Sequence, residues 1–404
     1  MKHIEIIHGK KIMQLDENGN ISLSGKKVYR HFMPVIKKKL GKKTNVLYLI
    51  FYSGFNSEKV KTLQNYIQSQ SFIDTVYVFF EDVLRMHDLE NADHCLDTSI
   101  LERNPNFFDI PEIETARKIL SVKDDLKVTF FCCEKNPTVI ENRYNIKLNY
   151  FDWYLIESYY HLKSLDEQGI CCNNDALKNK ISCFNKRPES HRTIIAVLLS
   201  TFENCCVSIN HKVEDKEIYY DYKLPFNKFS KNIQEKIYKN LADFNPKNFL
   251  LDGNKKQFKK HGLAFIDWDS QYKNTIPHIV ESFVNVVTET RYYSPMPYIS
   301  EKTTKPIMCK RPFIMLGPPG TLALLHELGF KTFSEWWDES YDNIENHNER
   351  LEAVFDICEK INSMDWNMIQ ALLSDMQSVL EHNYQRLHKI ESIMLSYIPK
   401  IKKH

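Results

Sequence analysis

Short runs of almost unbroken apolar residues, separated by stretches of helical pattern, constrain this chain more than any other feature. Residues 46–52, 75–80 and 126–133 read as strands, with a helix over 58–69 between the first two. A strand that is apolar along its whole length has no face to give to water, so it belongs in a parallel sheet covered on both sides. The polar, aperiodic stretch 171–180 reads as a linker, and a second series of the same kind follows it. That series has strands at 181–184, 204–209, 261–268, 283–288 and 312–316, and helices at 191–203 and 277–282. The last third, roughly 346–398, reads as helical, with Leu351, Val354, Phe355, Cys358 and Ile361 on one face.

At 404 residues the chain exceeds one ordinary core and suits two domains. The reading is α/β: an N-terminal domain over 1–175, a C-terminal domain over 176–375, and a helical segment over 376–404 that packs back on the first domain. Ligands of such folds bind at the carboxyl ends of the strands, in the cleft the domains face. A hydrophobic content of 43% and a charged content of 26% are those of a globular protein. No apolar run reaches the roughly 20 residues that cross a bilayer, and the first residues lack a signal-peptide apolar block. The expectation is a cytoplasmic protein with no membrane span. The ten cysteines include three adjacent pairs and no C-x-x-C, so free thiols are expected and no zinc site. A net charge of +2 argues against a broad nucleic-acid surface, although basic runs stand at 37–43 and 400–403.

The segment 299–333 carries the densest chemistry. Ser300 suits the N-cap of a helix, and Glu301-Lys302 place an anion and a cation on its first turn, where the helix dipole and the ammonium together make an anion site. Gly317-Pro318-Pro319-Gly320-Thr321 resembles the start of an ATPase phosphate loop, but Leu322 and Ala323 stand where the lysine and hydroxyl must follow, so an ATP-driven motor is excluded. The turn joins a strand to a helix whose N–H groups are expected to face a ligand. Arg187 and Arg192 follow the strand at 181–184 and can clamp a pyrophosphate. Glu289 ends the strand at 283–288, where a carboxylate accepts sugar or ribose hydroxyls. Glu134 follows the strand ending at Cys133, where a carboxylate can act as general base. Tyr292-Tyr293 and the aromatics of 150–154 can stack on a base or a sugar ring, or fill the core.

Glu289, followed twelve residues later by Glu301 in Ser300-Glu301-Lys302, resembles the donor-binding motif of the alpha-1,3-fucosyltransferase family. The block 185–192 resembles the arginine-bearing entry of that family's donor domain. Glu134-Lys135-Asn136-Pro137 with 149–153 resembles its acceptor-domain pair. The stretch 299–341 is similar to glycosyltransferase-like proteins of phage and large viruses. The resemblance departs at Thr290-Arg291 and at Thr303, which leaves the donor sugar and base open. It implies a type-B (GT-B) glycosyltransferase: two Rossmann-like domains facing a cleft, a nucleotide-sugar donor in the C-terminal one, no metal and no cofactor. By that resemblance Arg187, Arg192 and Lys302 hold phosphates, Ser300, Glu301 and Glu289 hold ribose or sugar, and Glu134 is the base of an inverting transfer. The acceptor is a glycan or, in a viral setting, a modified DNA base such as a hydroxymethyl-pyrimidine. A non-catalytic module that binds nucleotide-sugar or glycan is the alternative.

Overall fold

The structure is a computed structural model that describes residues 4–8, 11–15, 21–23, 46–51, 57–80, 111–133, 135, 138–167, 177–185, 189–209, 228–244, 275–294 and 296–397. The strand expected at 261–268 lies outside them, as do Glu134 and Arg187. Described residues up to Glu157 and from Glu391 onward form one compact unit, and Ser158–Ile390 form another.

The first unit is built on a seven-stranded sheet of order β3-β2-β1-β4-β5-β6-β7. Strands β4 (Val46–Phe51), β5 (Thr75–Phe80), β6 (Lys127–Cys132) and β7 (Leu148–Tyr150) are parallel neighbours, as their apolar runs require. The sheet as a whole is mixed, which corrects the parallel expectation. Strands β1 (Ile4–His8), β2 (Lys11–Leu15) and β3 (Ile21–Leu23) are antiparallel, and β1 pairs antiparallel with β4. His8 pairs with Lys11, and the two residues between them in sequence, Gly9-Lys10, have the composition of a tight hairpin, which forces antiparallel pairing. Glu5 faces Gln14 in register and Ile6 faces Met13, so the charges that interrupt this segment alternate with its apolar side. Helices α1 (Ser57–Ser69), α2 (Pro111–Leu120), α3 (Thr138–Tyr144) and the start of α4 (Trp153–Glu167) complete the unit. Its core centres on Phe79 and Phe131, both fully buried and stacked at 4.6 Å.

The second unit carries an all-parallel sheet of order β11-β10-β8-β9, from β8 (Asn179–Asn185), β9 (Cys205–Ile209), β10 (Ser282–Thr288) and β11 (Phe313–Leu316). The chain leaves β8 towards β9 on one side and resumes at β10 on the other. The order therefore reverses between β8 and β10, and the crevice at a reversal of this kind is where open parallel sheets bind ligands. Helix α5 (Ser190–Leu199) follows β8 and is buried from His191 onward. It stops short of the expected Glu203 because the Ser200 and Thr201 hydroxyls bond back to the Val197 and Leu198 carbonyls, and Asn204 turns the chain with a φ of 55°. Helix α6 (Lys231–Asp243) and a short helix at 275–280 precede β10. After it come α7 (Glu301–Met308), α8 (Thr321–Glu327), α9 (His347–Ser363), α10 (Trp366–Asp375) and α11 (Gln377–His388). Helix α12 (Ile390–Tyr397) belongs to the first unit from Glu391, with Tyr397 edge-on to Tyr150 at 5.5 Å. Among the described residues seven cysteines are free, and no helix is long and apolar enough to cross a membrane.

Candidate functional site

The reversal between β8 and β10 is bridged by side chains. The Thr288 hydroxyl donates to Asn185 Oδ1 at 2.5 Å, and lower down Asn285 Nδ2 donates to Ser182 Oγ at 2.9 Å. Both pairs are buried, so the two strands are tied where their carboxyl ends form the crevice.

Five of the six candidate donor residues meet above it. Ser300 caps α7, as expected: its hydroxyl accepts from the Lys302 N–H at 3.3 Å. The Glu289 carboxylate, fully buried, lies beneath this cap. It accepts from Ser300 N at 2.9 Å, Ser300 Oγ at 2.6 Å and Thr303 Oγ1 at 2.6 Å, so both its oxygens are engaged in starting the helix. Its own carbonyl bonds His191 Nε2 of α5 at 3.0 Å.

Lys302 is the half-buried cation of the group. Its ammonium donates to Glu301 Oε1 at 3.0 Å, Thr290 Oγ1 at 3.1 Å and Ser300 Oγ at 3.3 Å. Arg192 comes from the opposite side. It is almost wholly buried, and donates through Nη2 to Thr290 Oγ1 at 3.1 Å and to the Thr288 carbonyl at 3.3 Å, with Nη1 paired to Glu189 at 3.1 Å. Two cations from different helices therefore converge on the hydroxyl of Thr290, which is exposed. Burial pushes the Glu301 carboxyl upward, but Lys302 and Lys305 outweigh it and hold the group at about 2. Glu301 is thus ionised at any physiological pH, beside the helix N-terminus that favours it.

A small open recess adjoins Lys302, with Phe184, Thr275, Ile279, Thr288 and Lys305 also in its wall. Lys305, three residues past Lys302, lies on the same side of α7. The sequence reading did not select it or Thr290. The i, i+3 lysine spacing was the available signal for the first, and nothing local signals the second.

The glycine-proline turn is corrected. It does join β11 to α8, with Gly320 at a φ of 77° where a left-handed residue is needed. Its helix N-terminus does not face a ligand, because the Asp342 carboxylate accepts from Leu322 N at 3.0 Å and Ala323 N at 3.2 Å, and the Asp342 carbonyl takes Gly320 N at 2.8 Å. Those N–H groups are already satisfied.

Of the paired tyrosines, Tyr292 is core and Tyr293 is half-buried. Tyr292 is fully buried, stacked on His191 at 4.7 Å with the Arg350 guanidinium 4.5 Å from its ring, and its hydroxyl donates to the His347 carbonyl. Burial, reinforced by Arg192, pushes His191 well below the usual histidine range, and burial with Arg350 pushes His347 down to about 3. In the first unit Tyr150 and Phe151 are buried, and the Lys135 ammonium lies 5.3 Å from the ring of Tyr150 and 5.1 Å from that of Tyr397.

No family model matches the chain, and no curated protein matches it in sequence. Among solved structures the chain is similar to the N-terminal domain of Candida albicans trehalose-6-phosphate phosphatase, at a TM-score of 0.36 and 7% identity over 86% of this chain and 77% of that one. It is similar to an alpha,alpha-trehalose-phosphate synthase (UDP-forming) from Burkholderia vietnamiensis, at 0.39 and 9% over 84% and 71%. A third is HepE of Anabaena, solved in complex with UDP, at 0.36 and 9% over 84% and 82%.

Proposed function

We propose that the protein is a glycosyltransferase that moves a sugar from a nucleotide-sugar donor to an acceptor hydroxyl, with the donor held at the carboxyl edge of β8 and β10. One observation carries this reading: Arg192 and Lys302 converge on Thr290 at the reversal of strand order. A leaving nucleoside diphosphate gains negative charge as the glycosidic bond breaks, and preformed cations at that place stabilise it. Arg192 and Lys302 take that role, with Arg187 five residues before Arg192 in sequence, and no metal ion is invoked. The Glu301 carboxylate, ionised and paired with Lys302, accepts the ribose or sugar hydroxyls. Glu289 acts from beneath, by fixing the cap that aims Lys302.

Glu134 is assigned as the base that takes the acceptor proton, which makes the transfer inverting. It is the second residue after β6 in sequence. The acceptor is a glycan or a modified DNA base, and salt-sensitive binding to duplex DNA separates the two. The experiment is a thermal-shift screen against GDP, UDP, CDP and their sugars. A ligand of the native state raises the melting temperature. A shift with one base family supports the reading, and none with any of them refutes it. A shift without turnover, in the presence of acceptors, would leave a binding module instead.

A further inference from the structure

Each of the two cations that meet at Thr290 is paired with a carboxylate. Lys302 holds Glu301 at 3.0 Å, and Arg192 holds Glu189 Oε1 at 3.1 Å through Nη1. The two acids are not alike. The Glu301 side chain is 7% exposed and starts α7, whereas that of Glu189 is 29% exposed. Glu189 occupies the N-cap position of α5 with an extended backbone, yet its carboxylate makes no capping hydrogen bond. It turns instead to the guanidinium three residues on. Arg192 is 2% exposed, and its Nη2 is taken by the buried Thr288 carbonyl and by the Thr290 hydroxyl that Lys302 shares. Nη1, on the side of the more exposed acid, is thus where an incoming anion meets Arg192. A carboxylate and a phosphate against one guanidinium repel each other at a few ångströms, so the two compete.

We propose that Glu189 is a counter-ion that a nucleoside diphosphate displaces from Arg192, and that it thereby speeds departure of the diphosphate product. The inference rests on the donor reading and adds a residue that opposes binding to those that favour it. In the resting site Glu189 neutralises a buried guanidinium, which is costly to leave unanswered. As the diphosphate enters, Nη1 passes from carboxylate to phosphate, and the carboxylate turns towards the water it already partly faces. After transfer the returning carboxylate repels the free diphosphate, whose release limits the turnover of many enzymes.

The test measures affinity for GDP, UDP or CDP, whichever raises the wild-type melting temperature, on wild type, Glu189→Gln and Glu189→Asp. Glu189→Gln removes the charge and keeps an oxygen for Nη1. It should bind the diphosphate roughly 5- to 10-fold more tightly, the scale of one partly exposed charge contact. Glu189→Asp, which keeps the charge, should stay close to wild type. The same nucleotide should become a correspondingly stronger inhibitor of donor hydrolysis by Glu189→Gln. Tighter binding is not what the loss of a merely structural contact produces. Unchanged or weaker binding by Glu189→Gln overturns the inference and leaves the donor reading standing, with Glu189 as a support of Arg192. Should Glu189→Gln fail to fold, Glu189→Ala is read in the same way. Failure of every nucleotide to bind the wild type overturns the donor reading itself.

Discussion

Glu289 and Ser300, eleven residues apart, are joined by two hydrogen bonds: the Ser300 N–H and hydroxyl each donate to one oxygen of the Glu289 carboxylate, at 2.9 and 2.6 Å. The same carboxylate takes the Thr303 hydroxyl at 2.6 Å. The end of β10 thus determines where α7 begins, and with it the position of Lys302. Replacing Glu289 with Ala removes the carboxylate acceptor of three buried donors, leaving the Thr303 hydroxyl only the Met315 sulfur at 4.0 Å. At about 1–3 kcal/mol for each, partly relieved by water, a loss on the order of 3–5 kcal/mol in urea unfolding is expected. A loss within 0.5 kcal/mol would show that the carboxylate supports nothing.

Glu301 gives a pH signature. Its folded value of about 2 lies below the ordinary 4.5, so its contribution to stability is fully present above 4.5 and is lost as pH falls towards 2. Glu301→Gln should cost stability on the order of 3 kcal/mol at pH 7, and the gap to wild type should close between pH 4.5 and 2. A gap that stays constant through that window would contradict the assigned ion pairing.

The buried histidines act in the opposite sense. His347 stays neutral in the fold down to about 3, and His191 is shifted the same way, whereas in the unfolded chain each takes up a proton near 6.5. Below 6.5 the unfolded state binds more protons, so stability falls with pH by about 1.4 kcal/mol per unit for each histidine until its folded value is reached. In the folded protein, the His347 imidazole should not titrate between pH 7 and 4 by NMR, and that of His191 should titrate well below the ordinary histidine range. A midpoint near 6.5 for either would place that ring in water.

Asp342 caps α8 from twenty residues downstream. Asp342→Ala should therefore cost about 1–2 kcal/mol, as loss of an N-cap does, without altering nucleotide binding. Weakened binding with unchanged stability would instead make the glycine-proline turn part of the site.

The second unit was legible in sequence where local signals agree. The apolar run of β10 leads through a serine-capped start into α7, and Ser300, Glu301 and Lys302 occupy the places those signals imply. The antiparallel β1, β2 and β3 were missed because strands with one polar face do not show as apolar runs. The capping of α8 by Asp342 and the meeting of Arg192 with Lys302 at Thr290 join residues distant in sequence. Propensity and periodicity carry no record of such contacts. Strand order is equally silent in sequence, so the reversal between β8 and β10 became visible only in the folded sheet.

The central claim is that Lys302 serves a nucleotide-sugar and not merely the start of α7. Its side chain is one-fifth exposed, and its removal spares the Ser300–Glu289 bonds but weakens the pairing of Glu301, so Lys302→Ala should stay folded and lose part of the stability assigned to Glu301. The direct measurement is release of nucleoside diphosphate from a panel of nucleotide-sugars by wild type and Lys302→Ala. Wild type should hydrolyse one donor slowly, and Lys302→Ala should fall by roughly 100-fold or more, the scale for losing one preorganised charge contact to a leaving group. Full activity in Lys302→Ala, or no release by the wild type from any donor, would contradict the account.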